Sequence, residues 1–382
     1  MPKNQGETPN VHPQAPSGAS HAKSVKVLPL WTLIVPFLGL VAYLAHLSYL
    51  GLGGVIGAAV IMMGCVLAAV HHAEVVAHRV GEPFGTLVLA IAVTIIEVSL
   101  IVSLMLSGSG DTTTLARDTV FAAIMIIING IVGLCLLVGG VRHHEQRFVL
   151  KGVSSALCVL AAMASLSLVL PNFTSTVAGP FFSPSQLIFV AVVSLILYGA
   201  FVLVQTVRHR DYFLPSGEGD LKQDDHAAPP TLKETWIAFG VLIVALIGVV
   251  LLAKSLSSHI EKAVIGAGLP LAVVGVLIAA LVLAPESLAA IKAARRNRLQ
   301  TSLNLALGSA LATIGLTIPA VAVLSVFMGW PLSLGLDTKS MVLLLLSFIV
   351  SIFSLGTGRT TVLQGVTHLV IFATYLFVTI VP

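Results

Sequence analysis

Charge is scarce in this 382-residue chain: Asp, Glu, Lys and Arg together make up 9% of it. Soluble globular domains carry far more charge than this, so a soluble domain is excluded. Cysteine is scarce too. Cys65, Cys135 and Cys158 all lie inside apolar runs, with no metal-ligand spacing and no disulfide framework, and read as small apolar filler. The first 26 residues are polar and lack the apolar core of a cleavable signal, so they read as a short cytoplasmic tail. What is abundant is apolar surface. The hydrophobic fraction is 57% and the mean hydropathy +1.03, which places the chain among polytopic membrane proteins. Its basic balance, with a pI near 9.0, then reflects basic cytoplasmic loops and implies no nucleic-acid partner.

A spanning helix needs about 20 mostly apolar residues. Eleven segments qualify: 28–47, 49–70, 85–107, 119–140, 152–170, 185–207, 235–253, 266–291, 302–328, 338–355 and 360–381. With the N-terminus in the cytoplasm, 16 of the 20 Lys and Arg residues fall inside; Arg117, Lys254, Lys262 and Lys339 fall outside. Basic residues gather on the cytoplasmic side of membrane proteins, so the bias supports an odd span count with the C-terminus outside. The longest polar stretch, 208–234, separates six spans from five and reads as a cytoplasmic linker, with a cation-attracting or regulatory role as the sharper reading. The expected organisation is therefore a tail (1–27), an unpaired first helix (28–48), a five-helix repeat (49–207), the acidic linker (208–234) and a second five-helix repeat (235–382). An odd number of spans per repeat inverts one repeat relative to the other. The expected fold is an all-α polytopic membrane protein of eleven transmembrane helices, with two inverted five-helix repeats after the first. Inverted repeats around a central polar site are common in secondary transporters.

Two acids stand out against this background. Glu97 is the only formal charge between Phe84 and Leu106, and Glu286 occupies the second span of the other repeat. A carboxylate at the centre of a membrane helix costs about 2.5–3.5 kcal/mol on insertion scales, and such residues generally face a polar interior and carry function. Together the two could hold one metal cation or one proton each, because burial and a nearby like charge both favour the neutral acid. Competition between cation and protons, with an empty charged site too costly to reorient, suffices for exchange. The competing reading is that each Glu pairs with a polar neighbour; Glu286, six residues from Lys292, could also snorkel. Pro285 lacks an N–H and frees a carbonyl one turn earlier, a second oxygen source beside Glu286.

Other polar residues are read less sharply. Ser99, Ser103 and Ser107 repeat at i+4 in the third span, and Ser309, Thr313 and Thr317 in the ninth; such stripes more often serve helix packing than ion binding. Asn129, in the fourth span, must hydrogen-bond to something and serves either role. Asp118 beside Arg117 is either a solvated pair or an extracellular point of cation access. The loop 71–82 carries His71, His72, Glu74, His78 and Glu82; Glu74 and His78 are candidates for cation access or a proton relay, and no clean zinc-ligand set is present. His368 reads as a structural histidine.

The stretches "AEVVAHRVGEPFG", "GGVRHHEQRF", "APE" followed by "LNLALGSALATIGLTIP", and "GTGRTTVLQG" resemble the cation/calcium exchanger superfamily, and within it the ChaA-type calcium/proton (sodium/proton) antiporters. The resemblance covers nearly everything after about residue 30 and implies a bacterial inner-membrane exchanger of calcium, sodium or potassium for protons. It places that family's essential acids at Glu97 and Glu286, here also the metal-binding pair. It makes Thr94, Asn304 and Ser309 the neutral ligand candidates. Where the family has Gly-Asn-Ala-x-Glu, this chain has Thr94 and Leu283 in place of Asn. The family's Gly-Ser survives as Gly308-Ser309, but its first-repeat counterpart is Ala122-Ala123. Those departures remove oxygen ligands, leave room for monovalent cations, and lead to the expectation that most neutral ligands come from the second half. The family's acidic segment between halves is matched in position by 208–234.

The sequence thus points to an antiporter with no covalent chemistry and no cofactor, whose partners are the lipid bilayer, inorganic cations and protons. A monovalent cation/proton antiporter with little calcium activity is the alternative, and a cation channel a further one. Nothing in the residues fixes an oligomeric state.

Overall fold

In a computed structural model that describes residues 27–81, 84–107, 113–214 and 230–382, nearly every ordered element is helical. Among the described residues the eleven long helices are α1 Leu30–Leu44, α2 Leu52–Val80, α3 Phe84–Ser107, α4 Leu115–His143, α5 Leu150–Phe173, α6 Pro184–Arg208, α7 Leu232–Gly266, α8 Ala272–Arg295, α9 Leu299–Met328, α10 Thr338–Leu355 and α11 Val362–Ile380. All but α1 are long and apolar enough to cross a membrane. Large apolar side chains such as Phe37, Ile91, Phe189, Phe327 and Phe353 face outward, as a lipid-facing surface requires.

Local chemistry sets several helix starts. Ser183 with Gln186, Thr231 with Glu234 and Thr361 with Gln364 form reciprocal capping boxes at α6, α7 and α11. Asp337 accepts from the Ser340 amide at α10. Two expected boundaries need correction. Residues 71–80, read as a loop, continue α2 as helix, and α7 runs on to Gly266, beyond the expected end at 253. These helices have 29 and 35 residues, about 44 and 52 Å at 1.5 Å per residue. Their ends leave the apolar layer, so hydropathy alone truncates them. Glu82, the 1–26 tail and linker residues 215–229 lie outside the described residues.

The long helices α2 and α7 pack against each other, with α1 laid across both. Two histidines fix the start of α1: His71 and His72 donate from Nε2 to the Val27 and Thr32 carbonyls, each at 3.0 Å. At the other end of α1, Ser48 hydrogen-bonds to Ser255 of α7. The connecting segments segregate to two ends of the bundle. At one end a two-stranded sheet, β1 Gln146–Arg147 and β2 Arg359–Thr360, joins the α4–α5 and α10–α11 connections. His143 reaches the Arg295 carbonyl there, and Gln146 reaches Asn297. This end gathers Arg142, Arg147, Lys151, Arg295, Arg298 and Arg359. At the opposite end, the Ser333 amide donates to the Thr113 carbonyl and Arg117 to the Gly335 carbonyl.

The third helix of each half, α4 and α9, is broken near its midpoint by a π-helical segment, Ile126–Ile131 and Thr313–Thr317. Pro319 follows the second of these and has no N–H to return to the preceding turn, which favours the wider turn. Such segments are frequent at functional sites. Around them helices approach closely. A Cβ on Gly275 of α8 would sit 2.9 Å from the Thr119 amide nitrogen of α4, so only glycine lets α8 lie against that backbone. Gly275→Ala should therefore lower the melting temperature of the detergent-solubilised protein by several degrees, through overpacking of about 1–3 kcal/mol. Gly240→Ala, at a position with open space around it, serves as control and should melt like the wild type.

Candidate ion-binding site

Glu97 and Glu286 fall near the middle of α3 and α8. α3 lies against the π segment of α9, while α8 lies against α4 and its π segment. α3 and α8 also touch, so the helices that carry the two acids lie against each other.

Their surroundings differ. Glu97 is 2% exposed, and its Oε2 accepts a 2.7 Å hydrogen bond from the Thr317 hydroxyl. Thr313, at the start of the same π segment, hydrogen-bonds to it too. Glu286 is half-buried. One oxygen, Oε2, is inaccessible and has no hydrogen-bond partner among the described residues, while the residue lines a cavity of about 430 Å³. The cavity runs between α3, α6, α8 and α9, from Arg298 and Leu214 at the basic end down to Ser309 and Ala312. It stops beside the π segment that holds Glu97. At the opposite end, Asp118 and Glu261 border a space of about 20 Å³, room for roughly one water. The larger cavity thus extends toward the basic end, and the space described at the opposite end is far smaller.

The remaining candidates fall at different places. Ser309 and Asn304 line the cavity. Asn304 is engaged there: its Nδ2 donates to the Phe213 carbonyl at 2.6 Å and its Oδ1 accepts from Gln300 at 2.8 Å. The segment following α6 is thereby tied to the mouth, with Phe213 edge-on to Phe201 and Lys151 over the Tyr212 ring. The Thr94 hydroxyl donates back to the Ala90 carbonyl of its own helix. Asp118 pairs with Arg117 at 2.8 Å and accepts from Thr114. Asn129 is fully buried, donating to Ser347 and accepting from His368, whose other ring nitrogen meets Ser354. That network ties α4 to α10 and α11, away from either acid. His78 is exposed near the end of α2. Helix α8 passes through Pro285 without interruption. The described residues hold no cluster of three or more His, Cys, Asp or Glu side chains, so an ion here would rest on the two carboxylates and neutral oxygens.

Thr313 and Thr317 are the partners the sequence left undecided. Their i+4 spacing was visible, but spacing does not say which helix the stripe faces, and 220 residues separate Thr317 from Glu97.

A helical membrane bundle that carries a buried acid, Glu97, and a half-buried one, Glu286, near the middle of two packed helices has the form of a secondary transporter. The sodium/calcium exchanger protein family matches residues 50–207 and 237–381, and the chain belongs to that family. A Sinorhizobium fredii protein named for ionic transport, y4hA, is 49% identical over 93% of this chain and 97% of its own length. The sodium-potassium/proton antiporter ChaA of Escherichia coli is 38% identical over 93% and 96%. Among solved structures, native YfkE superposes with a TM-score of 0.69 at 18% identity, covering 92% of this chain and 99% of that one. The H+/Ca2+ exchanger CAX gives 0.67 at 15%, covering 91% and 88%. These two likenesses show the shared fold.

Proposed function

We propose that the protein is a secondary antiporter that moves cytoplasmic Ca2+, with Na+ and K+ as further substrates, outward in exchange for protons. The observation that carries this reading is the pair Glu97 and Glu286, one from each half, with Glu286 bordering a cavity that reaches toward the basic end. An ion entering from the basic end meets Glu286 first and displaces its proton. Glu97, with Thr313, Thr317 and Ser309 beside it, completes the oxygen set from α9. Two carboxylates cannot both stay charged and empty at this depth, so the site reorients only when filled by cation or by protons. The named substrate of the ChaA relative supports proton coupling.

On this reading the basic end is cytoplasmic, the N-terminus lies on that side and the C-terminus outside, in a bacterial inner membrane. Residues 49–207 and 235–382 are the inverted repeats. Glu74 and Asn304 serve cation access from the cytoplasm and Asp118 access from outside, with His78 and Asn129 in supporting positions. Apart from proton exchange at the carboxyls, the reaction makes and breaks no covalent bond, and it uses no cofactor; the protein is not an enzyme.

The test uses inverted membrane vesicles with a pH-sensitive dye. Ca2+, Na+ and K+ are added in turn, with a respiratory proton gradient and again after an uncoupler. Saturating, gradient-dependent exchange supports the antiporter. An ohmic current that persists without the gradient identifies a channel and overturns it.

A further inference from the structure

The two acids sit in unequal halves, and the inequality traces to two residues. Glu97 corresponds to Glu286, and Ala122-Ala123 on α4 to Gly308-Ser309 on α9. Counting down the same helices, Thr313 corresponds to Ile127 and Thr317 to Ile131. The backbone supports this register independently, since all four residues fall within the π segments Ile126–Ile131 and Thr313–Thr317. The consequence is visible at the carboxylates. Glu97 receives both threonine hydroxyls of α9. On the α8 side, α4 supplies isoleucines at the matching positions, 0% and 5% exposed, and Glu286 Oε2 is left buried without a partner among the described residues. At these two positions hydroxyls therefore come from α9 and none from α4.

We infer that Ile127 and Ile131 set the ion preference of the site by withholding oxygen from the Glu286 side. Calcium takes six to eight oxygen ligands. Two carboxylates supply at most four oxygens, and Thr313, Thr317 and Ser309 three more, so that number is met only with both carboxylates bidentate, whereas an ion that keeps part of its hydration, or a proton, needs fewer. The one-sided site therefore holds calcium less tightly than a site with hydroxyls on both sides would, and lets Na+ and K+ compete for it.

This inference deepens the antiport reading and rests on it. Its test measures wild type, Ile127→Thr, Ile127→Val and Ile131→Thr in proteoliposomes, with KM for Ca2+ and for Na+ taken from dye-reported proton movement. Calcium binding to the detergent-purified proteins is titrated alongside. Ile127→Thr should raise the preference for Ca2+ over Na+ about tenfold, the equivalent of one added ligand worth about 1.4 kcal/mol. It should tighten Ca2+ binding by a similar factor. Ile131→Thr should act in the same direction, and Ile127→Val should leave the ratio unchanged. A ratio within twofold of wild type in both threonine variants overturns the inference, as does an equal shift in the valine variant. If the wild type itself exchanges no cation, the antiport reading fails, and the titration still decides whether Ile127→Thr adds a calcium ligand. Should Ile127→Thr not fold, Ile131→Thr carries the same comparison.

Discussion

Glu97→Gln and Glu286→Gln should each reduce cation-coupled proton movement in inverted vesicles to below about 1% of wild type, since an ion facing a neutral amide in a buried site lacks several kcal/mol of compensation. Glutamine keeps the shape of glutamate and loses both functions asked of it: neutralising a cation and carrying a proton. The two variants should differ in a second readout. Glu286 borders the larger cavity, whereas Glu97 is sealed behind Thr317. A water-soluble carbodiimide applied from the basic end should therefore label Glu286 in the wild type, and Glu286→Gln should abolish that labelling while Glu97→Gln retains it. Normal exchange by either variant would remove that residue from the site.

The second large effect falls on Thr313 and Thr317. Hydrogen bonds to charged groups contribute about 1.5–3 kcal/mol, so Thr313→Val with Thr317→Val should raise the KM for cation by roughly ten- to a hundredfold. Valine keeps the branched shape, so helix packing should be undisturbed and the melting temperature near that of wild type. Thr317→Ser should restore most of the loss, because only the hydroxyl is needed. An unchanged KM in the double valine variant would mean that the stripe serves packing alone.

Much of this molecule is legible in its sequence. Insertion into a bilayer depends on the composition of each local segment, so apolar runs reveal the spanning helices from α2 onward, including α10 at its observed limits. The same local reasoning isolates Glu97 and Glu286, because a charge in an apolar run stands out wherever the helix goes. It failed where a helix leaves the apolar layer. Residues 71–80 are polar enough to read as a loop, yet they continue α2 as helix and hold α1 through His71 and His72. The π segments of α4 and α9 were also hidden; a π turn depends on how neighbouring helices press on a backbone as well as on Pro319 or the Asn129-Gly130 pair.

The hydroxyls show the division most clearly. Serine and threonine at i+4 spacing are visible in α3 and α9 alike. Only the crossing of α9 over α3 turns Thr313 and Thr317 toward Glu97, and only the packing of α4 on α8 sets the isoleucine-bearing π segment against the helix that carries Glu286. Asn304 shows it as well: its place in the chain suggested a ligand, and the fold engages its amide with the Phe213 carbonyl at the cavity mouth. Hydrophobicity and charge, which act residue by residue along the chain, established the membrane fold and the two acids. The depth and rotation of each helix against its neighbours, a property of the assembled bundle, established which oxygens meet which acid and toward which end the cavity extends.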